Sequence, residues 1–364
     1  MTGVYVHIPF CRSKCAYCDF HSGPRLELAD AYLDALAAEA SERAGETSPV
    51  TLYVGGGTPS ALSLPQLHRL FEAVPHPEDG GECTIEVNPD DVTDEFAAFL
   101  ASSTPVNRVS MGVQSMVESE LRTAGRRHTP QRAADACSTL RRHGFDNLSL
   151  DLIYGLPGQT AASWRYSLDA LLALGPAHLS AYMLSYEPHT RLTAMRDSGK
   201  ITETSDDDVI EMYHTLVEYT RAAGMEHYEI SNFAMPGMRA VHNSAYWNGA
   251  DYIGLGTGAH SHVNGVRGYN PPDIKAYLAA GGRNFFVEEP ETDENRFNDM
   301  LVTRLRTSDG LSLADLAQDH VPQLLEAAER HIAAGRVTVS DSGVMRITEE
   351  AWLVSDNILL DLIV

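Results

Sequence analysis

Three of the chain's five cysteines fall within eight residues, as Cys11-Arg12-Ser13-Lys14-Cys15-Ala16-Tyr17-Cys18. Thiolates are soft ligands, and three in a C-x3-C-x2-C run can wrap one soft metal centre. They leave a tetrahedral metal or a four-iron cluster one ligand short. The vacancy is closed by a further side chain or kept open for a small molecule. Closure would make the site structural zinc, with His21 or Asp19 as fourth ligand. Zinc modules, however, usually bring a second Cys or His pair, and here Cys83 and Cys137 stand alone. The spacing therefore favours iron and sulfide over zinc.

The rest of the chain alternates between two periodicities. Residues 3–8, 51–54, 83–87, 106–113, 148–153 and 178–184 read as strands, and 227–233 as extended. Between them, 28–44, 64–74, 94–101, 130–143, 161–174 and 206–223 carry apolar residues at helical spacing. Strands separated by helices of this length imply parallel βαβ units. Some six in series suggest an incomplete (β/α) barrel, whose site lies at the C-terminal ends of its strands. Residues 234–292 are rich in Gly, Asn, Tyr and His and poor in periodicity. Beyond them 311–317 and 321–334 read as helices and 337–347 as a small hairpin, a winged-helix-like pattern. The expected units are 1–233, 234–293 and 294–364.

The polar motifs fall at the expected strand ends. Gly55-Gly56-Gly57-Thr58 offers backbone N–H groups and close approach to a ligand, although a tight βα turn would use the same residues. Glu86 ends an apolar strand, where an unpaired buried charge would be costly. Gln114, Arg126 and Asp151 sit at comparable points. Singly each could be a cap or ion-pair residue. Together two acids, an amide and a guanidinium suit a zwitterion bearing a ribose, with Arg126 taking a carboxylate.

The cysteine run, placed as Tyr5-Val6-His7-Ile8-Pro9-Phe10-Cys11, resembles the cluster loop of radical S-adenosylmethionine (SAM) enzymes. More narrowly it resembles the branch that contains oxygen-independent coproporphyrinogen III oxidase (HemN-type) and a related heme chaperone (HemW-type). The resemblance spans nearly the whole chain. It implies an α/β fold: an incomplete (β/α)6 radical SAM barrel with a small C-terminal winged-helix-like α+β domain. It implies a 4Fe–4S cluster on Cys11, Cys15 and Cys18, with SAM on the fourth iron, cleaved after reduction to a 5′-deoxyadenosyl radical. Tyr5, Gly56, Gly57, Thr58, Glu86, Gln114, Arg126 and Asp151 match the family's SAM contacts. His242-Asn243-Ser244-Ala245-Tyr246-Trp247 resembles the HNxxYW motif of HemW-type proteins, proposed there to hold heme. His242 is thus a candidate axial ligand, with Tyr246 and Trp247 as apolar faces for a macrocycle. The alternative is that His242 braces a loop while the aromatics pack on the barrel. His260 is a second, weaker candidate.

HemN-type oxidases carry a further cysteine two residues after the third, where this chain has Phe20. They also carry an extension before the first strand, which here begins almost at Met1. Both differences point toward a heme chaperone that binds cluster, SAM and heme and delivers heme to an acceptor apoprotein. SAM cleavage is expected and porphyrinogen turnover is not. The alternatives are a coproporphyrinogen III oxidase and a zinc-stabilised binding protein.

Charge bounds the partners. The 364 residues carry 50 acidic and 27 basic side chains, a net charge of −23, which argues against nucleic acid. The same charge argues for a packing or lid role for the winged-helix-like unit. No apolar run approaches the roughly 18 residues of a membrane span, which leaves room only for peripheral membrane contact. With the first strand read almost at Met1, no targeting segment is expected, and an odd, clustered cysteine count suits a reducing compartment. The expectation is a cytoplasmic protein, with an electron donor for the cluster and a homodimer compatible with the sequence.

Overall fold

The computed structural model describes residues 2–78 and 80–363. Six strands, β1 (Gly3–Ile8), β2 (Thr51–Gly56), β3 (Glu82–Val87), β4 (Arg108–Gln114), β5 (Leu148–Tyr154) and β6 (His178–Met183), lie side by side in chain order. All five of these pairings are parallel. Helices Ala29–Arg43, Leu64–Ala73, Asp94–Ser103, Pro130–Arg142, Ala161–Leu172 and Asp206–Ala222 alternate with them. Thr93, Thr129, Thr160 and Ser205 cap four of these helices, each side chain accepting from a backbone N–H of the first turn. Such caps are worth about 1 kcal/mol each.

Strand alternation divides the sheet into two faces. Val4, Val6, Ile8, Leu52, Val54 and Ile85 are buried in the main apolar core, which also takes in Leu36, Leu67, Leu70 and Trp164 of the surrounding helices. Their neighbours in sequence are polar: Tyr5, His7, Tyr53, Thr84, Glu86, Arg108, Ser110, Ser149, Asp151 and His178. By the period of two these share the opposite face, the interior of the curved sheet.

The six strands do not close on each other. Past β6 lie β8 (Asn232–Ala234), antiparallel to it, and β7 (Glu226–Glu229). Past β1 lie β9 (Tyr252–Leu255), parallel to it, then β10 (His260–Val263), β11 (Val266–Tyr269) and β12 (Val287–Glu289). One twelve-stranded sheet results, with β12 and β7 at its edges. The stretch 234–292, irregular in sequence, thus supplies four strands and the helices Val241–Trp247 and Ile274–Ala280. Strands of three or four residues are too short to display a period.

A second core, including Phe297, Leu301, Leu305, Leu324, Met345 and Trp352, lies in the C-terminal residues. Here helix Asp293–Arg304 and helix Val321–Ala333 flank a three-stranded antiparallel sheet of β13 (Leu311–Ser312), β14 (Val337–Val339) and β15 (Val344–Ile347), in the order β13-β15-β14. The expected helix at 311–317 is instead β13 and a single 3-10 turn, Leu313–Asp315, because Leu311 pairs with Met345 and is fully buried. No described helix is long and apolar enough to cross a membrane.

Candidate functional site

Cys11, Cys15 and Cys18 follow β1 on a loop held by its neighbours' backbones. Cys11 N donates to Gly23 O (3.0 Å), Ala16 N to Ala124 O (2.9 Å), and Leu192 N to Ala16 O (2.7 Å). All three cysteines are free thiols lining a cavity of about 420 Å³ at the C-terminal ends of the strands. Among the described residues, no three Cys, His, Asp or Glu side chains converge tightly enough to hold a single metal ion. The three thiolates of a four-iron cluster each bind a different iron and need not converge on one point.

Two of the thiols already have donors. Thr58 Oγ1 lies 3.5 Å from Cys11 Sγ, and Arg126 Nη1 lies 3.4 Å from Cys15 Sγ. Donors to cluster sulfurs are one of the levers by which a protein raises a cluster's potential. Asn88 ties the two together: its Nδ2 donates to Thr58 Oγ1 (3.2 Å) and its Oδ1 accepts from Arg126 Nη2 (2.6 Å). The sequence reading missed Asn88 as a site residue. It lies two positions after Glu86, on the same face by strand period, and that was the available signal.

The glycine run fits its place by shape more than by free N–H groups. Gly56 has φ +108, and a Cβ on Gly57 would sit 2.7 Å from Phe10 O and 2.8 Å from Ile8 O. Gly56 N donates to Glu86 Oε2 (3.0 Å) and Gly57 N to Ile8 O (2.8 Å). The expectation that these amides face a ligand is therefore corrected: the Glu86 carboxylate takes one and the Ile8 carbonyl the other, and the glycines let β2 crowd the start of the cluster loop. Thr58 is buried beside them.

Polar residues of the neighbouring strands, and Arg126 from the loop after helix Glu118–Thr123, meet in the same cavity. Glu86, Gln114, Arg126 and Asp151 all line it, along with Ser110 and Tyr182, which the sequence reading did not single out. Gln114 has φ +69 at a register shift in β4, an uncommon backbone state for a residue with a side chain. Its Oε1 is buried without a partner, and so is Asp151 Oδ1. Burial pushes the Asp151 carboxyl up to about 7, with the nearby Glu86 adding to the rise. Burial also raises Glu86, against which its bonds from Tyr53 and Gly56 work. Buried orphan acceptors beside a guanidinium and three thiols suit a charged, hydroxyl-bearing ligand far better than an apolar one.

Tyr5 does not line the cavity; its hydroxyl pairs with His7 Nδ1 at 2.9 Å. Neither histidine of the heme reading lines it either. His242 is 1% exposed, and both ring nitrogens are engaged: Nδ1 with Thr51 Oγ1 and Nε2 with the Tyr246 hydroxyl, each at 2.8 Å. Its ring also lies against Thr51 and Gly3, first residues of their strands, at the opposite end of the barrel from the cysteines. As placed, it has no nitrogen free for iron, so the residues present do not fit an axial-ligand role. His260 is exposed and stacks on Tyr269 with ring centroids 5.6 Å apart.

Residues 5–171 match the radical SAM superfamily. Heme chaperone HemW of Lactococcus lactis is 36% identical over 84% of this chain and 82% of its own length. That of Bacillus subtilis is 34% identical over 88% of this chain and 87% of its own length. The chain belongs to the HemW group of the radical SAM superfamily. HemW of Escherichia coli is 38% identical over 71% of this chain and 70% of its own length. Among solved structures, coproporphyrinogen III oxidase (HemN) from E. coli, described as a radical SAM enzyme, covers 99% of this chain with a TM-score of 0.84. The present chain covers 89% of that structure at 24% identity, and the likeness is one of fold. Membership of the radical SAM superfamily implies a 4Fe–4S cluster and SAM.

Proposed function

We propose that the protein is a heme chaperone that binds a 4Fe–4S cluster, SAM and heme and passes heme to an acceptor apoprotein. The observation that carries the reading is the meeting of three free thiols with the orphaned acceptors of Gln114 and Asp151 in one cavity. Cys11, Cys15 and Cys18 would hold the cluster. Cluster and SAM together would supply one-electron reductive cleavage of a carbon–sulfur bond.

The chain's own residues would bind and orient. Arg126 keeps its guanidinium at the cavity by bonds to Asn88 and to Gly112 O (2.5 Å), and would face the methionyl carboxylate. The carbonyls near Gly56 and Gly57, whose N–H groups are taken, would accept from the amino group. Glu86, Gln114 and Asp151 would accept from ribose hydroxyls or the amino group. Buried Ile153 and the more open Met183 and Leu184 supply an apolar wall to the cavity. Tyr5 would act through His7 rather than by touching SAM. For heme, His260 is the open imidazole. We place the protein in the cytoplasm, served by an electron donor, with peripheral membrane contact and a homodimer compatible with it. We divide the chain into 1–233, 234–293 and 294–364, the second stretch adding its strands to the sheet of the first.

A coproporphyrinogen III oxidase is the second reading, favoured by the near-complete overlap with the HemN fold. One anaerobic reaction separates them. Reconstituted protein is mixed with SAM, a strong reductant and coproporphyrinogen III, and porphyrins and 5′-deoxyadenosine are quantified; heme is then titrated in parallel. The expected result is 5′-deoxyadenosine and a heme spectral shift with the porphyrinogen unchanged. Protoporphyrinogen formed over many turnovers would establish the oxidase instead.

A further inference from the structure

The HNxxYW segment forms helix Val241–Trp247 beneath the barrel. Its first two amides, Val241 N and His242 N, donate to the two oxygens of Glu82, each at 2.9 Å. The His242 ring reaches Thr51, and a Cβ on Gly3 would lie 3.3 Å from that ring. Gly3, Thr51 and Glu82 are the first residues of β1, β2 and β3. The helix therefore closes the floor of the barrel, at the end away from the cysteines.

From that floor a chain of contacts climbs to the cavity. The His242 ring stacks on Tyr53, with centroids 5.2 Å apart and planes at 28°. The Tyr53 hydroxyl donates to Glu86 Oε1 at 2.7 Å. Glu86 Oε2 in turn takes Gly56 N, and Glu86 lines the cavity. Beside this chain stands Arg108, 1% exposed, with Nε and Nη2 buried and unpartnered and its nearest paired carboxylate, Glu82, 4.0 Å away. The barrel interior is thus polar and poorly self-satisfied, so a residue that fixes an aromatic ring there fixes what the ring holds.

We infer that His242 is a positioning residue for the cavity: it braces Tyr53, and Tyr53 holds Glu86 in its ligand-facing place. The motif then serves the site from the floor of the barrel and not as an axial ligand to iron. The inference rests on the proposal that the cavity takes SAM.

The test uses the full chain with its cluster reconstituted, as His242→Ala, Tyr53→Phe and the double variant. Three quantities are read: the SAM dissociation constant by equilibrium dialysis, deuterium exchange of the amides of residues 55–58, and heme binding by absorbance titration. The lost bond from the Tyr53 hydroxyl to the Glu86 carboxylate predicts roughly tenfold weaker SAM binding in Tyr53→Phe, and His242→Ala, which frees the ring that carries that hydroxyl, should lose affinity by up to the same factor. Residues acting in one chain are not additive, so the double variant should be no weaker than the worse single one. Exchange at residues 55–58 should quicken in all three, with the heme titration unmoved. Loss of heme binding in His242→Ala with SAM affinity and exchange unchanged would overturn the inference, and so would additive losses of SAM affinity.

Two further variants guard against mere unfolding. His242→Gln, which keeps a polar group near Thr51, should retain part of the SAM affinity. His331→Ala removes a buried histidine of the second core, bonded to Asp361 at 2.9 Å, and should lower the melting temperature alone. Equal loss of SAM affinity in His331→Ala would assign the effect to general loosening and overturn the brace. If the unaltered protein binds no SAM, the proposed ligand falls, and amide exchange still decides: unchanged exchange in His242→Ala overturns the inference.

Discussion

Asp151 shows how one buried side chain makes the site sensitive to pH. Burial raises its carboxyl to about 7, far above its value in an unfolded chain. The folded protein therefore holds a proton there that the unfolded chain releases near pH 4. Raising the pH from about 4 to 7 then costs stability, while the carboxylate that a ligand hydroxyl or ammonium would want is formed only near 7. SAM binding by the cluster-loaded protein should therefore strengthen as pH rises from 6 to 8. Asp151→Asn should bind several-fold more weakly at pH 8 and lose that dependence, as read from dissociation constants across the range. A pH slope that persists in the variant would assign the titration to another group. The sequence placed Asp151 at a strand end; in the assembled barrel it stands midway along β5, buried beside Glu86.

At the scale of the element, the packing of β2 against the cluster loop is set by glycine. A Cβ at Gly57 would meet the backbone of Ile8 and Phe10, atoms that cannot swing aside as a flexible side chain could. Gly57→Ala should push the loop off β2, and iron and sulfide content per chain after reconstitution should fall well below that of the unaltered protein. Gly158→Ala is the control for a positive-φ glycine with open space around it: strained, yet expected to load normally. The βα alternation made the barrel legible, since helices of ten or more residues display their period and threonine caps mark their starts. Strands β9 to β12 were not legible, because each is three or four residues long. Helices Glu118–Thr123 and Arg191–Asp197, six and seven residues long, escaped because two turns or fewer show little period.

At the scale of the whole molecule, the C-terminal core is joined to the barrel beside the HNxxYW helix. Arg306 lies 4.2 Å over the Trp247 ring and pairs at 3.5 Å with Glu229, whose side chain is buried. Backbone bonds Ser308 N to Tyr228 O (2.9 Å) and Ile230 N to Arg306 O (3.3 Å) complete the joint. Arg306→Ala removes a cation–π contact worth about 0.5–2 kcal/mol and leaves the Glu229 carboxylate without its cation, at a cost of about 3–5 kcal/mol for a buried charge. The expected outcome is a lower unfolding midpoint and faster proteolysis in the segment 284–292, with cluster loading kept. Proteolysis unchanged at equal stability would mean that the backbone bonds alone carry the joint.

The sequence alone determined the cluster loop and the order of barrel elements, because each rests on local spacing: three thiols in eight residues and apolar periods; its motifs carried the resemblance to the family. It could not decide what His242 does. An imidazole in a motif reads as a ligand or a brace with equal ease, and only the fold shows both nitrogens taken and the ring against Tyr53. The same holds for the glycine amides, Asn88 and Arg108. Their roles depend on partners brought from other strands, and pairing across a sheet is a property of the tertiary structure that no local pattern records.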